Sequence, residues 1–97
     1  MTPDLSTVLE AIRAHRPAAL EGGVELVGVV GSVARGEAND ASDVDVVYQI
    51  ARRPTLMTLG AIMSALEDKL SVRIDLVYLA TLPDAVRRRM ERELITI

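Results

Sequence analysis

Apolar residues along the chain switch between two periods, and the switches outline its elements. Leu5, Val8, Leu9 and Ile12 fall at i, i+3, i+4 and i+7, the spacing that lines one face of a helix. This predicts an amphipathic helix from Thr2 to Arg16, with Thr2 as its N-cap, Pro3 at the first helical position and Pro17 as its stop. Val24 to Val30 is rich in Val and Leu, interrupted by Gly28, and reads as a buried strand that ends at Gly31-Ser32. Val33 to Gly36 predicts one helical turn, and the polar stretch Glu37 to Ser42 a loop. Asp43 to Ile50 is a second strand. After the break at Arg52-Arg53-Pro54, Leu56, Leu59, Met63, Leu66 and Leu70 recur at helical spacing and predict the core stripe of the longest helix. Val72 to Leu79 forms a third strand, Thr81-x-x-Asp84 resembles a capping box opening a helix to about Glu93, and Leu94 to Ile97 adds a short terminal strand.

That order predicts an α/β (α+β) fold: a small mixed sheet of three to four strands flanked by helices, in one domain spanning residues 1–97. With 97 residues, a second domain is excluded. The 49% apolar and 26% charged composition is that of a folding globular chain, and two Tyr with no Phe or Trp make its core aliphatic. The absence of cysteine removes disulfides, thiolate metal sites and thiol catalysis. The N-terminus lacks a signal-peptide pattern, and the longest apolar run, near Val24 to Val33, is too short to cross a bilayer. The expected setting is cytoplasmic, with no membrane partner. A net charge of −3 provides no general footprint for stable nucleic-acid binding.

The chemistry concentrates in Asp43-Val44-Asp45. Asp is depleted in strands, and two carboxylates in a Val-rich segment must be solvated or compensated. Alternation puts both on one face, roughly 6 to 7 Å apart at the backbone, close enough to converge on one hard cation, for which Mg²⁺ is the expected ion. Asp75 repeats the pattern in the next strand, and on a neighbouring strand it would join the pair. Three carboxylates on one sheet face form the protein side of a site for two metal ions that handle phosphoryl transfer. Gly31 and Ser32 open a short helix and offer close backbone approach, a hydroxyl and N–H donors to phosphate oxygens.

Gly31-Ser32-Val33-Ala34-Arg35-Gly36, Ser42-Asp43-Val44-Asp45 and Ile74-Asp75-Leu76-Val77 together resemble the polymerase-beta-like nucleotidyltransferase superfamily. Within it, the chain is most similar to the minimal, MNT-type antitoxins of HEPN/MNT toxin–antitoxin pairs. The resemblance covers nearly the whole chain, although its specificity lies in Gly31, Ser32, Asp43, Asp45 and Asp75. It implies transfer of AMP from Mg²⁺-bound ATP, with pyrophosphate leaving, to a tyrosine hydroxyl of a cognate HEPN ribonuclease toxin. By position, it implies that Asp43 and Asp45 bind both metals and that Asp75 binds the catalytic one and helps deprotonate the acceptor. Gly31 and Ser32 would hold the terminal phosphates, and Arg35 would neutralise charge on the nucleotide or pyrophosphate.

Two other functions fit the same residues: a nucleotidyltransferase subunit for a small-molecule or RNA acceptor, and a non-catalytic antitoxin that acts by occlusion. Several residues have simpler readings. Arg87-Arg88-Arg89 and Arg92, interleaved with Glu91 and Glu93, read as a solvated helix face before they read as a patch for RNA or a partner. His15 reads as a helix-end residue, and Tyr48, Tyr78, Met57 and Met63 as core.

Overall fold

The computed structural model describes residues 2–97. Helix α1 (Leu5–Glu21) leads into strand β1 (Val24–Val30), the one-turn helix α2 (Ser32–Arg35), strand β2 (Val44–Ile50), helix α3 (Leu56–Leu70) and strand β3 (Ile74–Tyr78). A 3-10 turn (Leu79–Thr81), helix α4 (Asp84–Glu93) and strand β4 (Ile95–Thr96) complete the chain. The strands form one four-stranded sheet in the order β3-β2-β1-β4. β1 runs antiparallel to both β2 and β4, while β2 and β3 are parallel, so the sheet is mixed as expected.

The core is entirely apolar: no polar or charged side chain among the described residues is buried. Val8, Ala11 and Ile12 of α1 and Ile62 and Leu66 of α3 pack on Val24, Leu26, Val29, Val44, Val46 and Ile74. Period-two alternation along β2 and β3 therefore gives one face to the helices and leaves Asp45, Val47 and Asp75 on the other. In β1 the alternation is reset between Leu26 and Gly28, where a bulge shifts the register. As a result Val29 faces the core and Val30 pairs directly with Asp45.

Several boundaries differ from the sequence expectation, each for a local reason. α1 begins at Leu5, because the Asp4 carboxylate, not Thr2, accepts the free N–H of Thr7 (3.1 Å). The helix also runs through Pro17 to Glu21, which leaves His15 inside it and not at its end. Pro17 and Arg13, the residue whose carbonyl loses its helical donor, are both exposed, which leaves that carbonyl on the solvent side of the helix, and buried Ala19 rewards the extra turn. Thr81 does not cap α4. Its hydroxyl closes the preceding turn onto the Tyr78 carbonyl at 2.9 Å, and Pro83 stands at the N-cap.

Of the stripe along α3, Leu66 is buried and Leu59 and Leu70 pack against the core, while Met63 is half-buried and outside that cluster. Leu56 and Met57 are 87% and 85% exposed, which corrects their assignment to the core. α1 ends at Glu21 and Gly22 abuts Thr58, so the first turn of α3 overhangs its neighbour. Ile50 is 41% exposed because β2 outruns β3, whose last paired residue is Tyr78, opposite Tyr48. Tyr48 and Tyr78 are half-buried and stack on each other with ring centroids 5.3 Å apart. Burial, with the neighbouring Tyr78, pushes the Tyr48 phenol up from its ordinary value. Among the described residues, no helix is long and apolar enough to cross a membrane.

Candidate active site

The parallel pairing of β2 with β3 sets Asp45 directly opposite Asp75, on strands about 4.8 Å apart. Asp43 precedes β2, and the Val44 N–H bonds the Arg73 carbonyl at 2.9 Å, which anchors the strand's start. The sequence placed Asp43 inside the strand, whereas the ladder begins one residue later. Asp43 and Asp45 are half-buried and Asp75 is exposed.

β1 brings Gly31 against this group. Its backbone lies at φ +85°, ψ −157°, a region essentially restricted to glycine. A β-carbon there would stand 2.4 Å from Asp45 Oδ2, so the missing side chain is what makes room for the carboxylate. Ser32 follows as the first residue of α2, half-buried, and its hydroxyl makes no hydrogen bond among the described residues. The Gly-Ser turn thus begins where the Asp45 carboxylate packs against Gly31.

Electrostatics distinguishes Asp45 from its neighbours. Burial lifts its carboxyl above the usual carboxylate range, the charges of Asp75 and then Asp43 lift it further, and Arg35 partly offsets the rise. Arg35 is itself held by two acids, Nε to Glu37 at 3.1 Å and Nη1 to Glu93 at 3.2 Å, and these contacts raise its pKa. Glu93 lies 58 residues away, at the end of α4, and was missed because no local spacing signals such a contact. The segment between α2 and β2 is shaped by short bonds: Asn39 N–H to Ser42 Oγ and Ala41 N–H to Asn39 Oδ1, both 2.8 Å.

The three carboxylates share a face but do not close into a cage. Among the described residues, no three His, Asp or Glu side chains stand in metal-liganding geometry. Their like charges oppose closure. The donor set nevertheless fits a hard divalent ion: every candidate ligand is a carboxylate oxygen, and Asp45 carries negative charge that Arg35 only partly compensates. Gly31 packs against Asp45, and Ser32 follows it in the chain.

Comparison with known proteins places the chain among nucleotidyltransferases. The family model for the nucleotidyltransferase domain matches residues 5–97. The protein adenylyltransferase MntA of Thermococcus cleftensis is 35% identical over 75 residues, covering 77% of this chain and 76% of that protein. A solved structure of a minimal nucleotidyltransferase matches with a TM-score of 0.72 at 39% identity, over 92% of this chain and 95% of that one. A crystal structure of a toxin–antitoxin with AMP-PNP shares the fold, with a TM-score of 0.58 at 20% identity over 84% of this chain and 61% of that one. From its strand order, its Gly-Ser turn and these relatives, the chain belongs to the nucleotidyltransferase domain family, in its minimal, MNT-type branch.

Proposed function

We propose that this protein is a Mg²⁺-dependent protein adenylyltransferase that moves AMP from ATP to a hydroxyl of a partner protein. The acceptor in this reading is a tyrosine of a cognate HEPN-type ribonuclease toxin, and the modification makes this chain the antitoxin. The observation that carries the reading is the in-register pair of Asp45 and Asp75, with Asp43 two residues upstream and Gly31 fitted against Asp45. Support comes from the relative named as a protein adenylyltransferase and the toxin–antitoxin neighbour with AMP-PNP.

Asp43, Asp45 and Asp75 would hold the metal, which when bound supplies positive charge to the triphosphate and acidifies the acceptor hydroxyl. Gly31 lets the backbone approach the terminal phosphates, and the Ser32 hydroxyl and N–H donate to their oxygens. The acceptor oxygen bonds to the α-phosphorus as the bond from that phosphorus to the bridging oxygen of pyrophosphate breaks. Asp75, the most exposed of the three carboxylates, accepts the acceptor's proton. Arg35, oriented by Glu37 and Glu93, adds positive potential where the leaving group gathers negative charge.

Intact-mass spectrometry on co-purifying proteins, after incubation with Mg²⁺ and ATP, tests this. A partner that gains whole AMP increments with the parent and none with Asp45→Ala is the expected result. A co-purifying partner whose mass never changes would leave occlusion or a non-protein acceptor.

A further inference from the structure

The charges of α4 are sorted by helix face. Arg87 bonds Asp84 at 3.0 Å and Glu91 at 3.4 Å, so that flank is neutralised within the helix. At 3.6 residues per turn, Arg88, Arg89 and Arg92 fall together in a sector of about 100° on the other flank. All three are exposed, and among the described residues they form no ion pair. Glu93 marks where the end of α4 meets α2, next to Arg89 on the helix surface. It lies one turn beyond Arg89, and its carboxylate reaches Arg35, whose charge acts on Asp45. Three unpaired guanidinium groups thus stand on a helix whose last residue is tied to α2 through Arg35, in a chain whose net charge is −3.

We propose that Arg88, Arg89 and Arg92 form a docking surface for an acidic polypeptide segment of the acceptor protein. Its carboxylates would pair with the guanidinium groups and bring the acceptor hydroxyl to the carboxylate site. This rests on the adenylyltransferase reading and adds how the acceptor is recognised. Polypeptide is favoured over RNA on two grounds. Single-stranded RNA is held largely by base stacking on aromatic rings, and the two tyrosines of this chain stack on each other. A net negative chain also repels a long polyanion, whereas a few carboxylates match a patch of this size.

The test is fluorescence anisotropy with a short labelled peptide carrying one tyrosine among glutamates. A counterpart with glutamines and a labelled single-stranded RNA oligonucleotide serve as competing probes. The parent should bind the acidic peptide roughly tenfold more tightly than the neutral one, with a preference that fades as salt rises. The triple variant Arg88→Gln, Arg89→Gln, Arg92→Gln should lose that preference, and Arg87→Gln should keep it. Equal binding of both peptides by the parent, or a preference that survives the triple variant, overturns the proposal. Tighter binding of the RNA than of the acidic peptide overturns it in favour of a nucleic-acid partner. Peptide mass after incubation with Mg²⁺ and ATP is read in parallel. Selective binding without AMP transfer would uphold the docking surface and count against the adenylyltransferase reading.

Discussion

Asp45 sits half-buried between two carboxylates, and its ionisation works against the fold. Its folded pKa lies above the ordinary 3.8, so the folded chain holds this proton to higher pH than the unfolded chain does. Stability therefore falls as pH rises from about 3.8 through the folded value. In metal-free buffer, Asp45→Asn is expected to melt above the parent at pH 7, with the gap closing on acidification. Thermal melts of both proteins across pH check this, and a gap that is absent at neutral pH or widens in acid contradicts it. A residue that costs stability yet shapes the strand beside it is what a functional site requires. The three aspartates stood out because carboxylates at alternate positions of a Val-rich segment conflict with burial. The structure keeps that conflict at Asp45, whereas Asp43 precedes the strand and Asp75 is exposed. The contact of Glu93 with Arg35 was not legible, because it depends on where α4 ends in space.

At the scale of elements, periodicity located the four α-helices and four strands but misjudged their limits: α1, at 17 residues, is longer than α3, at 15, and the 3-10 turn Leu79–Thr81 was not foreseen. Pro17 reads as a terminator in isolation, yet the helix continues where the lost hydrogen bond faces water. Thr81 reads as a cap, yet its hydroxyl has a nearer carbonyl in the preceding turn. The stripe on α3 could not reveal that its first turn overhangs α1, since that follows from the relative lengths of two packed helices. The role of Gly28 was also hidden: a strand glycine signals only some close approach. Here the approach is by β4, and a β-carbon at Gly28 would meet the Ile95 carbonyl oxygen at 2.0 Å. Gly28→Ala is therefore expected to release β4 from β1 and cost roughly 1 to 3 kcal/mol, as overpacking does. Amide hydrogen exchange reads it directly. The Ile97 N–H, bonded to the Val27 carbonyl at 3.0 Å, should lose its protection, and unchanged protection there would refute the account.

For the molecule as a whole, a small aliphatic core makes ligand binding a large share of total stability. A chain of 97 residues has few buried side chains to spend on rigidity, and one sheet face carries carboxylates where more core would otherwise pack. Mg²⁺ with a nucleotide would relieve the repulsion among Asp43, Asp45 and Asp75 and tie β1, β2 and β3 together. A ligand that binds only the folded state stabilises it by about 2.7 kcal/mol at a hundred times its Kd. For a domain of this size each kcal/mol moves Tm by roughly 4 to 8 °C. The suitable probe is an ATP analogue with a methylene group bridging the α and β phosphorus atoms, since the transferred bond is then intact throughout the melt. With Mg²⁺ it should raise the parent's Tm by roughly 10 to 20 °C at saturation. The Asp45→Asn variant, which starts from a higher Tm without metal, should gain little. An equal rise in both proteins would mean that the nucleotide binds away from the carboxylates. No rise in the parent would mean that the chain alone does not form the nucleotide site.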